Sequence, residues 1–365
     1  MFKNRRVGSQ QVECAGPKGK QQASNMVTRA AFISRHQLVL VLLSTLLIVG
    51  IWYFGSRPDR SFNTLPYVPS TRGCATHPRS STWFDIRFNS SASPIWTPKN
   101  KELPAHVRDW WLGLQQQGDI GLPVVLAKLF RLIRADKRAA VEHSETACLT
   151  CALVGNSGNL KDSGFGREID GHIYVLRMNM APTHGFERDV GSITTHHFMY
   201  PESAINAGAN RSYVIIPFKI LDLLWVTSAL GKGWITKTYA PVLRFLHTRP
   251  ENVHIYNPAF MKYVHDHWTN GHGRYPSTGM LAVIFSLHIC RVVGASTPRV
   301  VRFLGTFPVD VYGFGADERG NWHHYWENNR YAGEFRLTGV HDADEENHVL
   351  LRLAAHGHIR LRRPS

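Results

Sequence analysis

Five short apolar runs, separated by helical patterns, constrain this chain more than any other feature. They are CALVG at 151–155, HIYVLRMN at 172–179, SYVIIPF at 212–218, NVHIYNP at 252–258 and VDVYGFG at 309–315. Each is short, rich in β-branched or aromatic residues and bounded by turn formers, so each reads as a buried strand. AFMKYVHDHW at 259–268 and TGMLAVIFSLHIC at 278–290 read as helices, and Trp110 to Leu132 reads as helical with a break near Gly118–Pro123. Such alternation predicts an α/β fold with a mostly parallel central sheet flanked by helices. In sheets of this kind ligands bind in loops beyond the carboxyl ends of the strands. Polar residues and glycines gather at such ends here, at Asn156–Asn159, Asn179 and Gly313–Asp317.

Upstream of this pattern, Leu38 to Phe54 is an uncharged apolar run of 17 residues that ends in aromatic side chains. It is at the short end for a membrane span and suits a thinner, early-secretory bilayer. A cleaved signal peptide fits less well, because a long basic segment precedes the run and no small-residue cleavage site follows it. A buried core helix is the remaining reading. Residues 1–37 hold seven Lys/Arg against one acid, Glu13, a net of 7 − 1 = +6, which keeps the N-terminus cytoplasmic. The expected order is a cytoplasmic tail over 1–37, a transmembrane signal-anchor over 38–54, a Ser/Pro/Arg/Thr-rich stem over 55–82 and a lumenal globular domain over 83–365.

This topology changes the cysteine arithmetic. Of the five cysteines, Cys14 falls on the cytoplasmic side. Cys74, Cys148, Cys151 and Cys290 form an even set in an oxidising lumen, with three pairings open. Two N-glycosylation sequons, at Asn89 and Asn210, also follow the span. The net charge of +15 lies partly in the cytoplasmic flank. With no nucleic-acid motif present, it points away from nucleic-acid binding and toward a basic pocket for an anionic substrate.

Three stretches carry residues suited to chemistry. Gly155-Asn156-Ser157-Gly158-Asn159 follows a strand, the context in which backbone N–H groups approach a phosphate. It is neither GxGxxG nor a Walker A, and a plain Asn/Gly turn is the equal alternative. In HGRYPSTGM at 272–280, Ser277 and Thr278 can cap the following helix, whose start can also hold an anion. GNWHHYWENN at 320–329 and the stretch HDADEEN from His341 supply histidines for a general base and a leaving-group stabiliser. His323, His324, His341 and Asp344 are conceivable zinc ligands, but their spacing matches no zinc signature. Asp342-Ala343-Asp344 has the Asp-x-Asp spelling of metal-dependent nucleotide-sugar enzymes. It follows a loop, not a nucleotide-binding strand, and is read as not metal-binding.

Taken in order, these motifs make the chain resemble the animal sialyltransferases, glycosyltransferase family 29, and most closely the β-galactoside α-2,3-sialyltransferases that act on Galβ1-3GalNAc. The long family motif resembles Cys151 to about Ser203. The short motif resembles NPAFMKYVHDHWTNGHGRYPSTG and its continuation to Cys290. The third resembles HHYWEN at 323–328, and the very short motif His341 to Glu345 or Glu346. The resemblance implies a Rossmann-like variant of the GT-A type. It implies transfer of sialic acid from CMP-sialic acid to the 3-OH of a terminal galactose, by an inverting displacement without metal or other cofactor. The partners implied are a glycoprotein or glycolipid acceptor and a second copy of the chain as a homodimer, in a single-pass type II arrangement in the Golgi membrane.

Roles carry over by resemblance onto matching positions. His341 would be the general base, and His324 would hydrogen-bond the departing phosphate. Asn156, Ser157, Asn159 and Asn179 would contact the CMP part. Ser277, Thr278 and Gly279 would line the nucleotide and sugar pocket, with Gly315 below the base or ribose. Tyr239 and Tyr275 would be the phosphate-side and acceptor-side tyrosines, and Gln115 would reach the acceptor. The resemblance favours a Cys151–Cys290 disulfide, which leaves Cys74–Cys148.

One segment departs from the family pattern. The short-motif cysteine is normally followed almost directly by the VD-x-YGFG strand, whereas here residues 291–308 intervene. That insertion supports an alternative reading, a catalytically impaired lumenal relative that binds glycans or CMP-sialic acid. A metal-dependent glycosyltransferase is a third.

Overall fold

A computed structural model describes residues 81–115, 121–134, 149–290, 309–317, 320, 322–327 and 338–364. The expected tail, anchor and stem, Cys74, Cys148 and the 291–308 insertion lie outside the described residues. Among the described residues no helix is long and apolar enough to cross a membrane.

The strands are β1 (Ile95–Trp96), β2 (Cys151–Val154), β3 (Tyr174–Met178), β4 (His196–Met199), β5 (Ser212–Ile215), β6 (Val253–Tyr256), β7 (Val309–Tyr312) and β8 (Arg360–Arg362). They form one sheet in the order β1-β6-β5-β4-β3-β2-β7-β8. Only the β1–β6 pair is antiparallel. From β2 to β7 nearly every strand residue is buried. Helices cover both faces of such a sheet, so its strands read as continuous apolar runs with no alternation.

The topology fixes where a ligand can sit. From β2 the chain adds β3 to β6 on one side, then returns to place β7 on the other side of β2. Cys151 pairs with both Tyr174 and Val309, and Val154 with both Arg177 and Tyr312. The carboxyl ends of β2, β3 and β7 therefore end in one row. The loops beyond these ends border a crevice, the usual ligand position in an open α/β sheet.

Five helices matter for the site: α1 (Ala105–Gly113), α2 (Leu122–Ile133), α3 (Ile220–Ala229), α4 (Thr278–Ile289) and α5 (Ala343–Ala355). α2 buries Leu122, Val125, Leu126, Leu129, Phe130 and Ile133, a stripe at helical spacing. α4 is buried on nearly all sides and packs on β2, β3 and β4. Its Leu281, Val283, Ile284 and Phe285 are fully buried, each contributing about 1.5–3 kcal/mol. A disulfide joins Cys151, the first residue of β2, to Cys290 at the end of α4, the pairing that the family resemblance favours.

The five expected strands are present, each trimmed by a few residues. The helical stretch expected from Trp110 to Leu132, with a break near Gly118–Pro123, is two helices, the second capped by Gly121 at φ +62°. Strand β4 is an addition to the expected set, because its sequence HHFM hides two histidines in the core. Each has a partner there: His197 Nε2 meets the Asn179 carbonyl at 2.7 Å, and His196 Nδ1 meets Thr195 Oγ1 at 3.0 Å. Helix α3 and the short strands β1 and β8 are likewise additions. The stretch after His341, for which the sequence predicts no element, begins helix α5. Asp342 caps it, accepting from the N–H groups of Asp344 and Glu345.

Candidate active site

The first wall of the crevice is the turn after β2. A Cβ on Gly155 would stand 2.3 Å from the Gly313 carbonyl, and one on Gly158 would stand 2.2 Å from the His323 ring. Only glycine allows that approach. The turn is zipped to the chain that follows β7. Gly155 N–H donates to the Tyr312 carbonyl (2.7 Å), Ser157 N–H to Gly313 (3.0 Å) and Gly158 N–H to His323 (2.7 Å). Those N–H groups are committed to protein carbonyls, so they do not form the backbone phosphate cradle that the turn suggests in the sequence. What the turn presents instead is side chains. Asn156 Oδ1 is buried with no hydrogen-bond donor in reach among the described residues, an arrangement that is costly unless a ligand supplies one.

The second wall is the start of α4. Ser277 caps it, its Oγ accepting from Met280 N–H at 3.1 Å. Behind Ser277 lies Glu346 of α5. Its Oε1 accepts from Ser277 N–H at 2.7 Å, and its Oε2 lies 2.5 Å from Ser277 Oγ. Burial pushes the Glu346 carboxyl up to about 7, against the opposing effect of those two hydrogen bonds.

His341 sits where 274–275 pairs with Val340, through the N–H groups of Arg274 (2.8 Å) and Tyr275 (3.3 Å). Its Nδ1 lies 2.8 Å from the Tyr275 carbonyl. A carbonyl only accepts, so Nδ1 carries the proton and Nε2 keeps its lone pair. Burial holds His341 below the usual histidine value, and the Tyr275 contact opposes this only in part. The neutral ring with a free Nε2 is therefore the favoured state.

Opposite stands the 322–327 segment. Ser157 and His324 form an isolated bridge. His324 Nδ1 meets Glu327 Oε1 at 2.5 Å, and the His324 ring stacks on Trp326 at 4.4 Å. The Glu327 carboxylate accepts from Nδ1, which leaves Nε2 as the ring nitrogen available to a ligand.

Together these walls enclose a cavity of about 500 Å³. Of the residues expected at the site, Asn156, Ser157, Ser277, Gly279, Gly315, His324 and His341 line it. Asn159, Asn179, Thr278, Tyr275, Gln115 and Tyr239 do not. Asn159 Nδ2 ties the turn to the Phe314 carbonyl at 2.9 Å. Asn179 follows β3 in the left-handed region, φ 55°. Its carbonyl meets His197, and its Oδ1 accepts from Ser203 Oγ at 2.9 Å. Burial pulls His197 down to about 4, so it is neutral and donates. Thr278 is buried inside α4. Tyr275 packs edge-on to His341 at 5.1 Å, and the Gln115 side chain hydrogen-bonds Tyr275.

Tyr239 stands apart, 62% exposed. Its ring lies over the Lys219 ammonium at 5.0 Å. Lys219 in turn pairs with Asp222 (2.7 Å) and Glu202 (3.2 Å), and Thr238 donates to Glu202. Burial raises Asp222 to about 6, with Lys219 opposing. This buried ion cluster pins the turn that carries Tyr239.

Residues not expected at the site include Met178, Phe314, Trp322, Glu346, Asn347 and Leu350. For α5 the sequence does carry a readable signal, since 343, 346, 347 and 350 share one helical face. The Asp-x-Asp spelling has a structural cause, because Asp342 is the helix cap. Among the described residues no group of three or more His, Cys, Asp or Glu is arranged to hold a metal ion. Both sequon asparagines, Asn89 and Asn210, are exposed.

The family model described as glycosyltransferase family 29 (sialyltransferase) matches residues 95–296 and 308–358, leaving out most of the insertion. The chain is similar to CMP-N-acetylneuraminate-beta-galactosamide-alpha-2,3-sialyltransferase 2 of Mus musculus, 54% identical over 282 residues, covering 77% of this chain and 76% of that protein. It is similar to the corresponding sialyltransferase 1 of Homo sapiens, 48% identical over 289 residues, covering 79% and 80%. Among solved structures it is similar to a mammalian sialyltransferase in complex with Gal-beta-1-3GalNAc-ortho-nitrophenol, with TM-score 0.70 and 46% identity, covering 80% of this chain and 98% of that one.

Proposed function

Because the chain belongs to glycosyltransferase family 29, the sialyltransferases, we propose that it transfers sialic acid from CMP-sialic acid to the 3-OH of the terminal galactose in Galβ1-3GalNAc. The observation that carries the reading is the placement of His341 and His324 on the lining of one cavity, each with Nδ1 committed to a protein acceptor. The His341 ring is left with a free Nε2 lone pair, and the His324 Nε2 is assigned to the leaving phosphate.

The chemistry follows from that asymmetry. CMP leaves as a phosphate monoester, stabilised by a hydrogen bond at His324 Nε2. The anomeric carbon of sialic acid is tertiary, so its transition state has oxocarbenium character and needs little push from the nucleophile. The galactose 3-OH attacks from the opposite face while His341 Nε2 takes its proton, which inverts the anomeric centre. Asn156 and Ser157 hold the nucleotide from the turn after β2, backed by Asn159 and Asn179. Ser277, Thr278 and Gly279 bound it from α4, and Gly315 lies beneath the base or ribose. Tyr239 serves the phosphate side, while Tyr275 and Gln115 serve the acceptor side. No step requires a divalent cation, because His324 and the tyrosines supply the leaving-group stabilisation.

The same reading carries a Golgi, type II arrangement anchored by 38–54, with a glycoprotein or glycolipid acceptor. The exposure of Asn89 and Asn210 fits a lumenal domain.

The test is sialic acid transfer by the full chain to an aryl glycoside of Galβ1-3GalNAc, with linkage analysis and with excess EDTA in parallel. An α-2,3-linked product is expected with and without EDTA. His341→Ala should retain CMP binding and lose about 10²–10⁴-fold in kcat. Unchanged turnover in His341→Ala removes that residue from the role. Loss of transfer in EDTA, restored by a divalent ion, revives the metal-dependent mechanism.

A further inference from the structure

A second concavity, of about 650 Å³, opens between the segment from Pro98 to Arg108 and helix α2. Its floor is apolar, formed by Leu122, Leu126 and Phe130, all buried. Its rim is cationic. Lys101, Arg131 and Arg134 are exposed, and among the described residues none of the three meets a carboxylate. Arg108 also lines it and pairs with its neighbour Asp109 at 3.3 Å. Glu102 is the one acid among the lining residues.

The cleft is tied to the candidate active site by α1. Arg108 lines the cleft, and Gln115, just past the end of that helix, hydrogen-bonds Tyr275 beside His341. Arg274 also reaches back to the Gly113 carbonyl at 3.4 Å. From Arg108 to Gly113 the helix rises about 7.5 Å, and Gln115 follows two residues on, a span comparable to the length of a disaccharide. At its other end the cleft begins with Leu122, seven residues beyond Gln115. The cleft thus lies about one disaccharide away from the acceptor side of the cavity.

We propose that this cleft binds an acidic stretch of the acceptor's own polypeptide while the attached disaccharide occupies the active site. The inference rests on the sialyltransferase reading and adds the class of acceptor that the enzyme favours. Carboxylates of the peptide pair with the rim, and an adjoining apolar side chain covers the Leu126 and Phe130 floor. Exposed ion pairs are individually weak and are screened within about 8–10 Å at moderate salt. The cleft therefore selects among acceptors and does not act as a tight anchor.

The experiment uses the full chain and four acceptors that carry the same Galβ1-3GalNAc unit: an acidic, a neutral and a basic glycopeptide, and the aryl glycoside. At low salt, kcat/KM for the acidic glycopeptide should exceed that for the neutral one by about tenfold, the order expected of a few exposed pairs acting together. The preference should shrink at about 0.5 M salt, where the screening length is shorter still. Arg131→Glu/Arg134→Glu should reverse it in favour of the basic peptide and leave transfer to the aryl glycoside unchanged. Indifference of the wild type to peptide charge overturns the proposal, as does a preference that survives the double reversal. In either case continued transfer to the aryl glycoside keeps the sialyltransferase reading intact. Failure of the wild type on the aryl glycoside counts against that reading itself. If the double variant loses only binding to phosphatidylserine vesicles, the rim is a membrane-facing surface and the peptide assignment is wrong.

Discussion

Glu346→Gln isolates the effect of a single buried proton. The wild-type carboxyl is buried on α5 against the start of α4, which pushes its pKa up to about 7 against an ordinary 4.5. The two values differ by about 2.5 (7 − 4.5), which at 1.36 kcal/mol per unit is about 3 kcal/mol. The sign follows from proton counting. Below pH 4.5 both folded and unfolded chains hold the proton, and this site contributes no pH dependence. Between about 4.5 and 7 the unfolded chain releases it while the folded chain keeps it, so stability falls as pH rises. Above 7 both have released it and the loss levels off. Glutamine preserves the shape and both contacts, since its carbonyl accepts from Ser277 N–H and its amide donates to Ser277 Oγ. The variant should therefore match the wild type near pH 4.5 and exceed it by up to about 3 kcal/mol near pH 8. Denaturation by urea with the disulfide intact, run on both proteins from pH 4.5 to 8, reads the difference, and most other titrating groups cancel. A wild-type-minus-variant difference that stays flat across that range refutes the argument, because Glu346 would then be ionised in both states.

Two further outcomes follow from the site's geometry. Gly155→Ala places a methyl group against the backbone carbonyl of Gly313, which cannot rotate away. It should cost about 1–3 kcal/mol of stability and weaken CMP binding, with thermal melting and a CMP titration as the measurements. Lys219→Gln should raise the KM for the donor by loosening the Tyr239 turn. Combined with Tyr239→Ala it should add little to the single tyrosine change, a coupling of about 0.5–2 kcal/mol, whereas additive effects on KM would mean that Lys219 does not act through Tyr239.

Much of the frame is legible in the amino-acid order alone. The strands β2, β3, β5, β6 and β7 are buried on both faces, and burial of that kind writes itself as a continuous apolar run. Ser277 ahead of an apolar stretch announces a helix cap. Strand β4 is not legible, because a four-residue strand with two histidines carries no composition signal, and its burial depends on partners such as the Asn179 carbonyl. The turn after β2 is legible in position but only half so in role. Its glycines mark a close backbone approach, yet nothing local names the partners of its N–H groups, which are the carbonyls of 312, 313 and 323.

Sequence by itself therefore determined five of the buried strands, the start of α4 and which residue types are available for chemistry. Those properties are local, set by periodicity, capping and side-chain hydrophobicity over a few residues. Tertiary structure alone decided which groups meet: Glu346 with Ser277 across 69 residues, His341 with the Tyr275 carbonyl across 66, and Gln115 with Tyr275. No local pattern encodes such pairs. They exist because the parallel register brings the ends of β2, β3 and β7 into one row, and burial at that row then decides which proton stays and which lone pair is left free.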